Sequence, residues 1–288
     1  MITKCIITTA SNKFFPSLIN LIGSMKVNYP DHPPIYVYDL GLLYLFKKEL
    51  ERMDNVKVLK IPKFCEFWRS CYTWKTYILN TPLAEQNLYL DAGNQVLRPL
   101  DDLFVKIEVN GYLAVSQGRT VHIADITPKE YMDLFGMNES DSDREIITAG
   151  IFGFDRSNKL KNITNILYSS GKSGLCLGFS PTEQWKNKGV NRTDFVREAK
   201  MFRHDTTLLS LILIKHIKEL VVEDVKYFDC NRHEDKDQYI WNFRMNYSKL
   251  EFIGRFGNSN ELLGILSYVV IVIMLFLKKI KKFLKHLS

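Results

Sequence analysis

Asp91, Lys75 and Asp205 are the residues whose types and settings could do chemistry most directly. Asp91 closes the apolar run NLYLD and is followed by Ala92, Gly93 and Asn94. A carboxylate at a strand end is an oxygen donor of the kind a hard cation takes, and equally an aspartate that caps a turn. Lys75, in WKTYIL, is a compact cation suited to an anionic ligand, or a helix lysine in solvent. Asp205 opens DTTLLSLIL. As an N-cap it needs no ligand, and as a site residue it could act as a base. His204 beside it reads as structural. His233-Glu234-Asp235 has metal-ligand types, although charged loop clusters are usually solvated, and His233 is the candidate ligand. Gly150, in TAGIFGFD, is a strand glycine of the sort that marks a close approach.

These residues need a frame. KCIITTA, PIYVYDL, VKVLKI, NLYLD, GYLAVSQ and TAGIFGFD read as strands, short and rich in β-branched and aromatic residues. PSLINLIGSMKVNY, LYLFKKELERM, residues 72–80, SNKLKNITNILYSS and DTTLLSLILIKHIKEL read as helices. Strand–helix alternation predicts an α/β fold with a doubly wound, mainly parallel sheet. In such sheets ligands sit beyond the carboxyl ends of the strands. There lie Thr8, Ala10 and Asn12; Asp39; Asp91 to Asn94; Ser116 and Gln117; and Ala149 with Gly150. Residues 170–200 form a long irregular stretch, which suggests a binding loop or lid. Its Trp185, Lys186 and Arg192 could touch a ligand, although ordinary surface packing explains them as well.

The 288 residues carry 39 Lys+Arg against 32 Asp+Glu, a formal charge of +7. Five of those lysines stand in residues 278–288, so the body of the chain is close to neutral. That distribution argues against a nucleic-acid partner, which would want a basic stripe through the body. The five cysteines form no CxxC pair and no zinc-like spacing, which suggests reduced core residues. The start, MITKCIITTA, reads as a strand rather than a leader.

Residues 262–277, LLGILSYVVIVIMLFL, hold sixteen residues without a charge. As a helix they would be about 24 Å long, short of the roughly 30 Å hydrocarbon core of a bilayer. A Lys-rich end with interleaved Phe283, Leu284 and Leu287 follows. The pattern predicts a membrane-associated helix, either a short span whose lysines snorkel or, as preferred here, one lying in the interface against anionic lipid. The expected organisation is a domain over residues 1–257 and a membrane anchor over 258–288, at the cytoplasmic face.

Five stretches in order, spanning about residues 4–215, resemble the nucleotide-sugar glycosyltransferases of the GT-A, Rossmann-like fold. The likeness is to glycosyltransferase family 8, that of glycogenin and bacterial galactosyltransferases, and to related uncharacterised domains. CIITTASNKFFPSLINLIGSM with IYVYDLGL resembles the first two strands, where base and ribose rest. WKTYIL resembles the segment whose Lys or Arg reaches the diphosphate. LYLDAGNQVLRPLDDLF is similar to the Asp-x-Asp segment that grips a metal. ITAGIFGFDRSN resembles the strand beside the reacting sugar, and HDTTLLSLIL the helix start written DQxxLN. The resemblance implies transfer of a sugar from a nucleoside diphosphate sugar, a UDP-sugar first, to a glycan or lipid-linked acceptor. It implies Asp91 and Asp205 as catalytic residues and Thr8, Ala10, Asn12, Asp39, Lys75 and Gly150 as donor-binding residues. It also implies a divalent metal, Mn or Mg, on Asp91, Asn94 and His233. The sequence departs from the pattern where Gly93 replaces the second Asp and Thr206 replaces Gln. Those departures keep open a second reading, an inactive relative that binds a nucleotide sugar or a partner at the membrane. A nucleotidyltransferase is disfavoured, because TTASNKFF lacks a Gly- and Lys-rich phosphate loop.

Overall fold

The computed structural model describes residues 2–118, 121–178, 202–229, 237–242 and 273. His233, Trp185, Lys186, Arg192 and the apolar tail 262–277, Ile273 apart, lie outside the described residues. No helix among the described residues is long and apolar enough to cross a membrane.

The strands are β1 (Lys4–Ala10), β2 (Ile35–Asp39), β3 (Val56–Lys60), β4 (Gln86–Leu90), β5 (Asn94–Val96), β6 (Tyr112–Ser116), β7 (Ile147–Asp155), β8 (Val222–Glu223) and β9 (Ile240–Asn242). The main helices are α1 (Phe15–Asn28), α2 (Tyr44–Arg52), α3 (Trp74–Leu79) and α4 (Asp101–Asn110). Three short helices follow, α5 (Ile123–Ile126), α6 (Lys129–Leu134) and α7 (Glu139–Ser142), and then α8 (Asn158–Lys172) and α9 (Asp205–His216). The chain divides into two units. The first holds residues 1–7, 61–91 and 100–228, and the second holds 8–60, 92–99 and 229–288.

In the first unit the strand order is β1-β4-β7-β6-β8. β4 is parallel to β1, β8 is parallel to β6, and β7 runs antiparallel to both β4 and β6. The sheet is therefore mainly parallel, with one reversed strand that alternation did not foretell. Among the described residues between β6 and β7, the helices are only four to six residues long. These gather around Ile123, Ile126, Tyr131 and Ile146, packed with Phe202, Leu211 and Ile214. A parallel return needs a substantial crossover, and an antiparallel one does not. Reversal moves Ala149 and Gly150 from the end of a strand to near its start. They remain at the edge where β4 ends, because Leu90 pairs with Ile151.

Asn87 anchors β4. It is fully buried, and its Oδ1 accepts from the Leu83 and Ala84 amides at 2.8 and 2.9 Å. Its Nδ2 donates to the Ala84 and Phe154 carbonyls at 2.8 and 3.2 Å. One side chain thus ties the turn before β4 to β7. At the other edge of the same unit, Ser210 of α9 accepts from the Ile147 amide at 2.9 Å and donates to the Thr206 carbonyl at 2.8 Å. That pins the helix start to the start of β7.

In the second unit β2 and β3 pair in parallel and β5 pairs antiparallel with β9. α1 is buried along nearly its whole length, from Phe15 to Met25. Its Ser24 hydroxyl accepts from the Val96 amide at 2.9 Å, and Asn28 donates to the Val96 carbonyl at 2.9 Å, which holds β5 against the helix.

Replacing Asn87 by Ala removes the partner of the buried Ala84 amide, the part-buried Leu83 amide and two carbonyls, and a buried group left unsatisfied costs about 1–3 kcal/mol. The expected outcome is a urea midpoint lowered by the equivalent of at least about 3 kcal/mol with an unchanged slope. A loss below about 1 kcal/mol would show that Asn87 is not an anchor.

Candidate functional site

Lys75, Asp91 and Asp205 come from three separate stretches and meet in the first unit. Lys75 lies in the first turn of α3, Asp91 directly follows β4, and Asp205 is the first residue of α9. The Lys75 ammonium is 2.7 Å from Asp205 Oδ2, and 3.0 and 3.2 Å from Asp91 Oδ1 and Oδ2. It also donates to the Ala149 carbonyl at 3.0 Å. The Lys75 and Asp205 side chains are only 5% and 9% exposed, whereas that of Asp91 is 43% exposed. The cluster thus offers one carboxylate to solvent and keeps its counter-charges inside.

Neighbours over-determine this arrangement. The Tyr89 hydroxyl donates to Asp91 Oδ1 at 2.7 Å. Two residues apart along an extended chain, Tyr89 and Asp91 point to one face. The Asp91 amide donates to the Gly150 carbonyl at 2.8 Å. A Cβ on Gly150 would stand 3.0 Å from Asp91 Oδ2, so it is the Asp91 carboxylate whose close approach the glycine permits. The Ala149 amide reaches the Thr206 hydroxyl at 3.4 Å, at the limit of a hydrogen bond.

Backbone strain collects here as well. Four non-glycine residues have positive φ among the described residues, and three of them, Cys71, Tyr72 and His204, flank the cluster. Tyr72 and His204 bring their rings within 6.3 Å of each other. The Tyr72 carbonyl accepts from the Lys75 amide at 3.0 Å, and His204 Nδ1 lies 2.8 Å from the Cys176 carbonyl. Such conformations persist where surrounding contacts hold them, commonly at functional sites. His204, not Asp205, is the N-cap of α9, and it makes no side-chain cap bond. The aspartate is therefore left to face Lys75.

Burial opposes the Lys75 charge, but the Asp205 and Asp91 carboxylates outweigh it and hold the ammonium's proton well above the ordinary lysine range. Burial pushes the Asp205 carboxyl up, Lys75 pulls it down, and the Asp91 charge adds to the rise. Burial is the largest of these effects, so Asp205 ends above its ordinary value.

Thr8, Ala10, Asn12, Asp39 and Asn94 belong to the second unit, whereas Ser116 and Gln117 belong to the first. Asp39 holds its own turn, with Oδ1 accepting from the Gly41 and Leu42 amides at 2.7 and 2.6 Å and Oδ2 lying 3.0 Å from Lys47. Burial pushes its carboxyl up, but those amides and Lys47 hold it below the ordinary range. Asn12 Oδ1 accepts from the Leu43 amide at 2.6 Å. Thr8 and Ala10 are buried in β1, and the Thr8 hydroxyl finds no hydrogen-bond partner among the described residues. Asn94 is buried in β5, paired with Asn242 of β9. The sequence reading missed Tyr89 and Tyr72, and it placed Ala149 at the ligand edge without a role for its carbonyl. Only the two-residue spacing of Tyr89 from Asp91 could have signalled one of them.

The described residues do not fit a divalent metal. No group of three His, Cys, Asp or Glu side chains gathers among them. Gly93 supplies no donor, and an ammonium already stands against both oxygens of Asp91.

No family model matches the sequence, and a search of curated proteins finds no match to it. Solved structures are similar in fold. An active-site mutant of LgtC aligns with a TM-score of 0.50 and 12% identity, over 82% of this chain and 86% of that one. The WbbM bifunctional glycosyltransferase aligns with a TM-score of 0.51 and 14% identity, over 87% of this chain. This chain spans 43% of WbbM's length. The galactosyltransferase LgtC with donor and acceptor sugar analogs aligns at a TM-score of 0.48 and 14% identity. The chain has a glycosyltransferase-like GT-A fold.

Lys75→Met leaves two carboxylates, one of them buried, without their cation. It should lower stability by about 3 kcal/mol or more. A lysine whose folded pKa is raised contributes stability that is complete below the ordinary value of 10.5 and is lost as pH rises through the folded value. The gap between wild type and variant in denaturant titrations should hold at neutral pH and narrow only in strong alkali. A gap that is already closed at pH 8 would refute the ion cluster.

Proposed function

We propose that the chain is a glycosyltransferase that moves a sugar from a nucleoside diphosphate sugar, a UDP-sugar first, to a hydroxyl of a glycan or lipid-linked acceptor. The observation that carries this reading is the Lys75–Asp91–Asp205 cluster at the β4 edge of a GT-A fold. Fold alone does not decide function, so the argument rests on what these side chains can do. In the transfer, the acceptor oxygen bonds to the anomeric carbon while the bond from that carbon to the diphosphate breaks. The acceptor hydroxyl proton goes to a base. Asp205 is the proposed base, on its place at the start of α9, where it shares the Lys75 ammonium with the solvent-facing Asp91. Asp91, open to solvent, suits contact with the donor. Thr8, Ala10, Asn12 and Asp39 are the proposed contacts for base and ribose. The orphaned Thr8 hydroxyl supports that role, since buried polar groups are nearly always paired.

Residues 258–288 fit a membrane-held segment at the cytoplasmic face, on the strength of their sixteen uncharged residues and five lysines. An enzyme held at the surface that carries its acceptor gains effective concentration. The second reading, a module that binds a nucleotide sugar without transfer, is favoured by Gly93. Asp205 beside Asp91 favours transfer.

Incubating the full chain with UDP- and GDP-sugars should release nucleoside diphosphate. Asp205→Asn should lower turnover by about 100-fold, and Asp91→Ala should weaken both donor binding and turnover. Nucleotide-induced thermal stabilisation without release would support the binding module. Neither release nor stabilisation with any donor would end both readings.

A further inference from the structure

Four oxygens converge on the Lys75 ammonium. They are Asp205 Oδ2 at 2.7 Å, Asp91 Oδ1 and Oδ2 at 3.0 and 3.2 Å, and the Ala149 carbonyl at 3.0 Å. Two carboxylates and a backbone carbonyl are the donor set that a hard divalent cation takes. An ammonium has three N–H donors; here Asp91 Oδ2 and the Ala149 carbonyl accept hydrogen bonds, and Asp205 Oδ2 stands in ion-pair contact. The Tyr72 and Tyr89 ring centres lie 5.4 and 5.3 Å from the same nitrogen and present π-faces suited to a cation. The cage is built at the start of β7 and the end of β4, and Gly150 lets the Asp91 carboxylate swing close. A divalent ion placed on Asp91 would meet a fixed positive charge about one hydrogen bond away.

We propose that the Lys75 ammonium is a tethered replacement for the divalent cation, seated in an oxygen cage, so that this chain binds a nucleoside diphosphate without metal. The same geometry means that removing the ammonium turns the cage into a divalent-cation site. The nucleotide half of this inference rests on the proposed transfer reaction, whereas the cation half does not.

Manganese alone, titrated into the full chain and followed by the paramagnetic signal of the free ion, tests the cage. In wild type, Asp91→Asn should leave Mn²⁺ binding unchanged, because the cage takes none. Lys75→Met should add one site at least 10-fold tighter than any binding at the same place in wild type. Adding Asp91→Asn to Lys75→Met should remove that site again. A stoichiometric wild-type site that disappears in Asp91→Asn would overturn the proposal. So would a folded Lys75→Met, checked by circular dichroism, that gains no site. Should Lys75→Met fail to fold, the wild-type comparison still decides. A second measurement uses UDP. Its thermal stabilisation of wild type should be equal in EDTA and in excess Mn²⁺, and a shift that appears only with Mn²⁺ would overturn the proposal. No shift under either condition would count against the transfer reading and leave the cage to the manganese titration.

Discussion

One buried ammonium between two carboxylates is the constraint on which the rest of the site depends. Removing ions from water is costly, and the attraction between them offsets that cost only when geometry is good and the remaining donors are satisfied. Lys75 meets the condition by donating to Asp91 and the Ala149 carbonyl while pairing its charge with Asp205. Each of those partners sits on a different element. α3, the end of β4, the start of β7 and the start of α9 must therefore all be in place before the charge is tolerable. The local fold and the ion cluster require one another.

The surrounding details follow from that requirement. Asn87 ties the turn before β4 to β7, and Ser210 ties α9 to the other end of β7. These are uncharged anchors on either side of the charged centre. The positive-φ conformations of Tyr72 and His204 bring short peptide segments past the cluster at angles that ordinary backbone avoids. Asp91 alone reaches solvent, so the centre presents a carboxylate outward while its compensation lies behind. Such an arrangement suits recognition of hydroxyl-bearing ligands, because an exposed carboxylate accepts hydrogen bonds and its position is fixed from within.

Much of the framework was legible in the residues. Alternating strand and helix patterns located β1, β2, β3, β4, β6 and β7, and also α1, α2, α3, α8 and α9, to within a few residues. The ends were less sure, and α9 stops at His216 although apolar periodicity continued to Leu220. β8 and β9, of two and three residues, are too short to show a period. The direction of β7 was hidden because strand pattern reports which faces are buried and says nothing about polarity. For the site, the residue types at strand and helix ends singled out Lys75, Asp91, Asp205 and Gly150. The pattern assigned them separate duties, whereas three-dimensional proximity made the first three one charged unit.

By itself the sequence determined the alternating α/β framework, the positions of chemically capable residues at element ends, the missing second carboxylate at Gly93, and the apolar, Lys-rich end of the chain. These are local properties of spacing and side-chain type. Only the tertiary structure decided that Lys75 neutralises Asp91 and Asp205, that Asp39 is occupied by its own turn, and that Gly150 makes room for a carboxylate. Each of these depends on distances between residues far apart along the chain, and such distances are set by strand pairing and packing rather than by any local pattern.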